Sequence, residues 1–240
     1  NKLVDNGGDA VIKSGVVSNR EGYPLNSVFG LKYCGKIQTQ DQLDKYINQY
    51  ANGNNNIAMP GNLRLGDNMY EDVNKDGKLT EADYVYLGTD DPKVSFSFNA
   101  GLSWKGFDVS VIFQGAGKRT VWRGGENNQK GKNDNWRIPM MSWYNNSTNQ
   151  SVGNVWSAET PNAHYPTYTH QTQINLYNYI CSSWSVEDGA YLRLKNVTLG
   201  YTFPANVLSK TKFISYARIY VSGADLWENS KIKDGWDPEA

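Results

Sequence analysis

The sequence predicts an all-β fold, with antiparallel strands of an outer-membrane type of β-barrel carrying long extracellular loops. Three observations predict it. Two long stretches alternate apolar and small polar residues with a period of two. The connections between strands alternate between very short and very long. Aromatic residues reach 13% in a chain of mean hydropathy −0.64. A polar chain this rich in aromatics is not disordered, and barrel strands give only a weak hydropathy signal.

The elements follow in order. A weak strand is expected at DAVIKSGVV and a stronger one at SVFGLKYCGKI. In DQLDKYINQYANG, Leu43, Tyr46, Ile47 and Tyr50 recur at helical spacing, and Asn-Gly stops the pattern. In KVSFSFNAGLSW, Val94, Phe96, Phe98, Ala100, Leu102 and Trp104 share one face. FDVSVIFQG continues with Phe107, Val109, Val111 and Phe113 on one face. Only Lys105-Gly106 separates the two, so they form a tight hairpin. Its apolar face suits lipid, with Trp104 and Phe107 placed as interface anchors. A second pair is YLRLKNVTLGYTF and FISYARIYVSG, joined by the short PANVLSKTK. Val197, Leu199, Tyr201 and Phe203 alternate on the first strand, and Ala217, Ile219 and Val221 on the second.

Compact domains avoid structureless loops beyond roughly 12–15 residues. Membrane barrels use them on one side only. The alternation therefore assigns residues 38–92, 116–189 and 224–240 to the outside of the cell.

Several function classes are excluded. The 24 basic and 24 acidic residues cancel, which argues against nucleic acid as a partner. No apolar run approaches the roughly 18–20 residues of a membrane helix. The chain opens on NKLVDNGGDA, without the charged and apolar regions of a leader peptide. Cys34 and Cys181 leave two readings open, a single disulfide or two unpaired thiols. His164 and His170 have no zinc spacing, no Ser sits in a nucleophile elbow, and Glu187-Asp188-Gly189 reads as a turn. The chain is not expected to be an enzyme.

The sharpest motif is DVNKDGKLTEAD. Asp72, Asn74 and Asp76 stand at alternate positions of an EF-hand-like loop spanning 72–83. Gly77 is at the sharp turn, Lys78 offers its carbonyl, and Asp83 closes the loop. Oxygen ligands at this spacing suit a structural Ca²⁺. Asp83 is shorter than the usual Glu, which weakens affinity or admits Mg²⁺.

Residues 116–189 hold Trp122, Trp136, Trp143, Trp156, Tyr165 and Tyr168 among amides and hydroxyls. Flat aromatics beside hydrogen-bonding groups suit a glycan or a peptide. The competing reading is that they build small cores for long loops.

In order along the chain, GYPLNSVFGLKYCGKIQT, GDNMYEDVNKDGKLTEADYVYLG, LSWKGFDVSVIFQGAG, VEDGAYLRLKNVTLGYTFP, RIYVSGADLW and GWDPEA resemble the C-terminal part of SusC/RagA-type TonB-dependent outer-membrane transporters. The resemblance implies a 22-stranded barrel with a plug that precedes residue 1 and a further strand beyond Ala240. It implies a SusD-like lipoprotein partner, contact with TonB through the plug region, and import of an oligosaccharide or peptide across the outer membrane. Two alternatives stand beside it: a secreted, calcium-binding, carbohydrate-binding β-sandwich, and a fragment of a glycan-active enzyme. The alternation of tiny turns with long loops disfavours the first. The missing catalytic set disfavours the second.

Overall fold

The computed structural model describes residues 2–4, 11–14, 17–50, 57, 59–123, 152–169, 171–211, 213–232 and 236–239. The chain divides into two compact units. One comprises Asn1–Asp91 with Thr120–Glu187, the other Pro92–Arg119 with Asp188–Ala240.

In the first unit, β1 (Val11–Ser14), β2 (Val17–Arg20) and β3 (Ser27–Gly30) form a sheet with β6 (Val85–Thr89). A second small sheet pairs β4 (Tyr33–Lys36) with β5 (Asn68–Tyr70). Between them lies α1 (Gln40–Tyr50), where the helical spacing placed it. Thr39 caps its start by accepting from the Gln42 amide at 3.2 Å. Leu43, Tyr46 and Tyr50 are buried on one face, against Leu31, Ile37, Leu63, Tyr70 and Leu79. The later half of this unit holds β9 (Thr120–Trp122), α2 (Thr172–Asn178) and most of β10 (Val186–Asp188), which pairs with β9.

Buried polar bonds tie α2 to the early residues. The Tyr46 and Tyr177 hydroxyls lie 2.6 Å apart, and the Tyr70 amide donates to Tyr46 Oη at 2.9 Å. Asn178 Nδ2 donates to Asp67 Oδ1, and Asn68 Nδ2 donates to the Asn178 carbonyl, both at 2.8 Å. Each such bond contributes roughly 0.5–1.5 kcal/mol net, and leaving one buried partner unmade costs more.

The second unit is one antiparallel sheet in the order β12-β11-β8-β7. Its strands are β7 (Ser95–Trp104), β8 (Phe107–Ala116), β11 (Tyr191–Thr202) and β12 (Arg218–Ser230), with α3 (Ala205–Leu208) in the β11–β12 connection. The hairpin turns at Lys105-Gly106, whose φ angles of 49° and 91° are both positive. This is the type I′ pattern that matches strand twist. A Cβ on Gly106 would also lie 2.7 Å from the Thr202 carbonyl oxygen.

Three features differ from the sequence reading. Residues 27–37 are not a strand of this sheet; they split into β3 and β4 of the first unit. Leu31 bridges Ser182 instead, Gly30 packs so tightly on the Cys181 carbonyl that no side chain fits, and Gly35 has φ 130°. The last strand is shifted along the chain: it begins at Arg218 rather than Phe213, so 213–217 belong to the connection, and residues 224–230 are strand rather than loop. Glu187 and Asp188 lie in β10, not in a turn. No disulfide joins Cys34 and Cys181.

Candidate functional site

Register gives the β7–β8–β11–β12 sheet two chemically distinct faces, because directly opposed residues share a face. Phe98 opposes Phe113, Leu102 opposes Val109, and Trp104 opposes Phe107. Val109 in turn opposes Leu199, which opposes Val221, and Tyr201 opposes Ile219. This face is open: Phe98 is 60% exposed, Leu102 70% and Val221 66%. Soluble proteins rarely leave so continuous an apolar surface in water. Ten residues at about 3.3 Å each, tilted by about 40°, span about 25 Å, the height of a barrel's lipid-facing band. The described strands form an open sheet, not a closed barrel. Near the hairpin end, Phe107 and Tyr201 rings pack at 4.6 Å, and Lys105 Nζ lies 4.7 Å over the Trp104 ring.

The opposite face carries Ser97, Asn99, Ser103, Ser110 and Thr198, all between apolar-face neighbours. Arg218 reaches across Gly200 to form a two-pronged ion pair with Asp108, at 3.1 and 2.5 Å. Any Cβ at Gly200 would collide with both groups.

A β-bulge interrupts β11 and β12. Leu194 pairs with Phe113 and Trp227, whereas Asn196 pairs with Ile112 and Ala224. Lys195, Asp225 and Leu226 are therefore left outside the pairing. Asp225 has φ 52°. The single extra residue Lys195 reverses the parity of β11, so Leu192 and Leu194 stay on the apolar face and Arg193 on the polar one, whereas the two extra residues of β12 leave its parity unchanged.

Arg193 is the charge hub of this face. Its guanidinium is nearly buried and bonds Glu228, Asp237 (2.6 Å) and Glu239 (2.9 Å), with Asp225 at 3.9 Å. Lys195 joins Glu239 at 2.9 Å and Asp225 at 3.3 Å. Strands β11 and β12 and the segment 236–239 thus meet on one fork of donors. Sequence reading missed this hub. Its one signal is a cation set between two leucines in YLRLKNV, and its partners lie 32 to 46 positions downstream.

In the first unit the EF-hand-like loop has the turn expected of it. Gly77 has φ 79° and donates its amide to Asp72 Oδ2 at 2.7 Å. Asp76 donates its amide to Asn74 Oδ1 at 2.9 Å. Asp72, Asn74, Asp76 and the Lys78 carbonyl are a donor set suited to a hard cation. Asp83 is engaged elsewhere. It is buried, and its oxygens accept from the amides of Val73 (2.9 Å), Asn74 (3.3 Å) and Thr80 (2.8 Å). It closes a capping box with Thr80 at the start of the 3₁₀ turn Glu81–Asp83. Among the described residues, no three His, Cys, Asp or Glu side chains converge as a metal cluster.

Beside this loop is a cleft of about 430 Å³ lined by Cys34, Tyr46, Tyr50, Glu71, Asp72 and Lys75, among others. Burial, then the Asp72 charge, pushes Tyr50 up to about 12. Burial, then Glu71, also raises the Cys34 thiol. Glu71 pairs with Lys32 at 2.7 Å.

The loop aromatics divide. Tyr165 is buried in a small core with Tyr179, against which Val155, half-buried Tyr168 and Trp184 pack. His164 packs on Trp184 and Tyr165, and burial with the Lys36 charge lowers its pKa. Trp156 covers the Gly66 turn, and its Nε1 donates to Gln38 Oε1 at 2.9 Å. Trp122 is half-buried on β9. Trp136 and Trp143 lie outside the described residues.

No family model matches the chain. It is 29% identical over 221 residues to TonB-dependent receptor P3 of Formosa agariphila, covering 92% of this chain and 19% of that protein. It is 26% identical over 244 residues to TonB-dependent receptor P26 of the same organism, covering 98% and 22%. It is structurally similar to a chain of the RagAB peptide importer in its open-open state, with TM-score 0.61, 18% identity, and coverage of 99% of this chain and 22% of that one. The closed-closed state gives TM-score 0.59 at 19% identity, covering 97% and 22%. The chain spans about a fifth of the length of the relatives it matches. A mostly antiparallel β-fold of TonB-dependent-receptor type is the class these findings define. The resemblance to SusC/RagA-type TonB-dependent transporters is thereby shown, and with it the outer membrane as the chain's location.

Proposed function

We propose that the chain is the C-terminal part of a transporter that imports a large nutrient, a peptide or an oligosaccharide, through a 22-stranded outer-membrane barrel. In this reading TonB energises import through a plug encoded before residue 1, and a SusD-like surface lipoprotein closes over the loops. The protein works by transport, not by catalysis. One observation carries the reading: a sheet predominantly apolar on one face, largely polar and ion-paired on the other, with a two-residue turn at one end. The likeness to receptors and to a peptide importer supports the same assignment.

Residues 116–189 are read as the extracellular surface that meets ligand or lipoprotein, with Trp122, Trp136, Trp143, Trp156, Tyr165 and Tyr168 as candidates. Tyr165 serves the loop's own core first. Deleting the segment around Trp136 to Trp156 from the full-length transporter tests this. Uptake, or co-purification of the lipoprotein, falls while barrel assembly persists. Unchanged uptake together with unchanged co-purification refutes the role.

The loop 72–83 is read as a structural Ca²⁺ or Mg²⁺ site held by Asp72, Asn74, Asp76 and the Lys78 carbonyl. Asp83 joins only by releasing backbone amides, which weakens binding toward the roughly 10⁻⁴–10⁻³ M of extracellular modules. Calorimetry of the full-length protein should show Ca²⁺ binding that Asp76→Ala removes. Equal heats from both proteins refute the site.

A further inference from the structure

The β11–β12 connection is long for the short-turn end of a barrel and is unusually apolar on its surface. It leaves β11 at Thr202 and enters β12 at Arg218, which oppose each other. Tyr201 opposes Phe107, so the connection lies at the same end of the sheet as Lys105-Gly106. Leu208 of α3 turns inward and is buried. Val207 is 48% exposed, Phe213 87% and Ile214 39%. A large aromatic almost wholly in water has nothing to offset its exposure.

A second, independent observation concerns charge. The segment FPANVLSKTKFISYA, residues 203–217, contains Lys210 and Lys212 and no acidic residue. Lys105 stands at the same end, over the Trp104 ring. The nearest acid of the sheet, Asp108, is neutralised on the polar face by Arg218. Apolar side chains with single-sign basic residues are the composition of a segment that lies in a membrane interface. The apolar face of the sheet continues into this end through Tyr201 and Phe203, whose rings pack at 5.2 Å.

We propose that the described residues of this connection, 203–211 and 213–217, form an amphipathic foot that seats Val207, Phe213 and Ile214 among the headgroups of an anionic phospholipid leaflet. Lys105 and Lys210 take the lipid phosphates. The foot fixes the depth of the β11–β12 hairpin in the bilayer. This rests on the transmembrane reading of the sheet.

The test uses the full-length receptor, freed of its other cysteines, with Phe213→Cys carrying a nitroxide in lipid nanodiscs. Collision with oxygen is compared with collision with a water-soluble nickel chelate. The oxygen-to-nickel ratio should be several-fold above that of a label at Lys118→Cys, at the other end of the sheet. It should rise further when phosphatidylglycerol is added to phosphatidylcholine, and Lys105→Gln with Lys210→Gln should abolish that rise. A nickel-accessible label, a label shielded from both reagents by protein, or a ratio indifferent to phosphatidylglycerol each overturns the proposal. A label at Leu102→Cys keeps the two readings apart. If it too favours nickel, the transmembrane sheet fails; if it favours oxygen, only the foot does.

Discussion

Replacing Arg193 with methionine removes the charge that gathers segment 236–239 onto the sheet while keeping a long apolar stem. Arg193 is 8% exposed at its side chain and lies within 4 Å of four carboxylates, from Asp225, Glu228, Asp237 and Glu239. Removing one member of a buried ion pair costs roughly 3–5 kcal/mol. The carboxylates here are 26–54% exposed, so water recovers part of the loss and about 3 kcal/mol is the reasonable figure. At about 1.4 kcal/mol per factor of ten, the anchored state of 236–239 should lose about 100-fold in population. Hydrogen exchange of the full-length receptor reads this directly. The amides of Asp237 and Glu239 should exchange about 100-fold faster, while the β7–β8 hairpin keeps its protection. Arg193→Lys retains the charge but not the fork and should fall between. Unchanged exchange at 236–239 would refute the anchoring role, and equal loosening of β7 and β8 would show a sheet-wide effect instead.

Further outcomes follow from the two faces and from the loop unit. Ala100→Arg, on the apolar face at mid-strand, should cost about 2–4 kcal/mol of barrel stability in lipid, whereas Asn99→Arg, on the polar face, should be tolerated; equal urea midpoints for both would sink the lipid-facing assignment. Gly106→Val should lower barrel assembly yield, read by heat-modifiable gel shift, because valine resists φ 91° and its Cβ meets the Thr202 carbonyl; wild-type yield would remove the turn argument. The pKa of His164 is lowered, by burial first and by Lys36 second. A depressed value means its contribution is present above the ordinary value of 6.5 and is lost as pH falls through the folded value. Acidification from above 6.5 down through the lowered folded value should therefore loosen the His164–Trp184–Tyr165 packing, seen as a tryptophan emission shift that His164→Phe removes; an identical shift in that variant would point to another group.

The sequence by itself determined what short-range pattern controls. The β7–β8 hairpin was legible because period-two alternation needs only neighbouring residues, and Lys105-Gly106 suits positive φ at both turn positions. Helix α1 was legible from the spacing of Leu43, Tyr46 and Tyr50, and the turn at Gly77 from its place in a known oxygen-ligand spacing. Tertiary structure decided what depends on distant partners. SVFGLKYCGKI looks like any half-buried strand, and only the pairing of Leu31 with Ser182 takes it out of the membrane-type sheet. The end of β12 was hidden because Asp225 and Leu226 bulge out of the pairing and interrupt the run of paired residues, although two extra residues leave Val221 and Trp227 on the same face. Arg193 could not be matched to its carboxylates among 24 acidic residues, since an ion pair leaves no periodic trace. Asp83 has the right spacing for a cation ligand, yet the fold gives its oxygens to three backbone amides. Local preference sets which elements form; which face and which partner each one meets is a property of the folded chain, where residues more than a hundred positions apart share one buried bond.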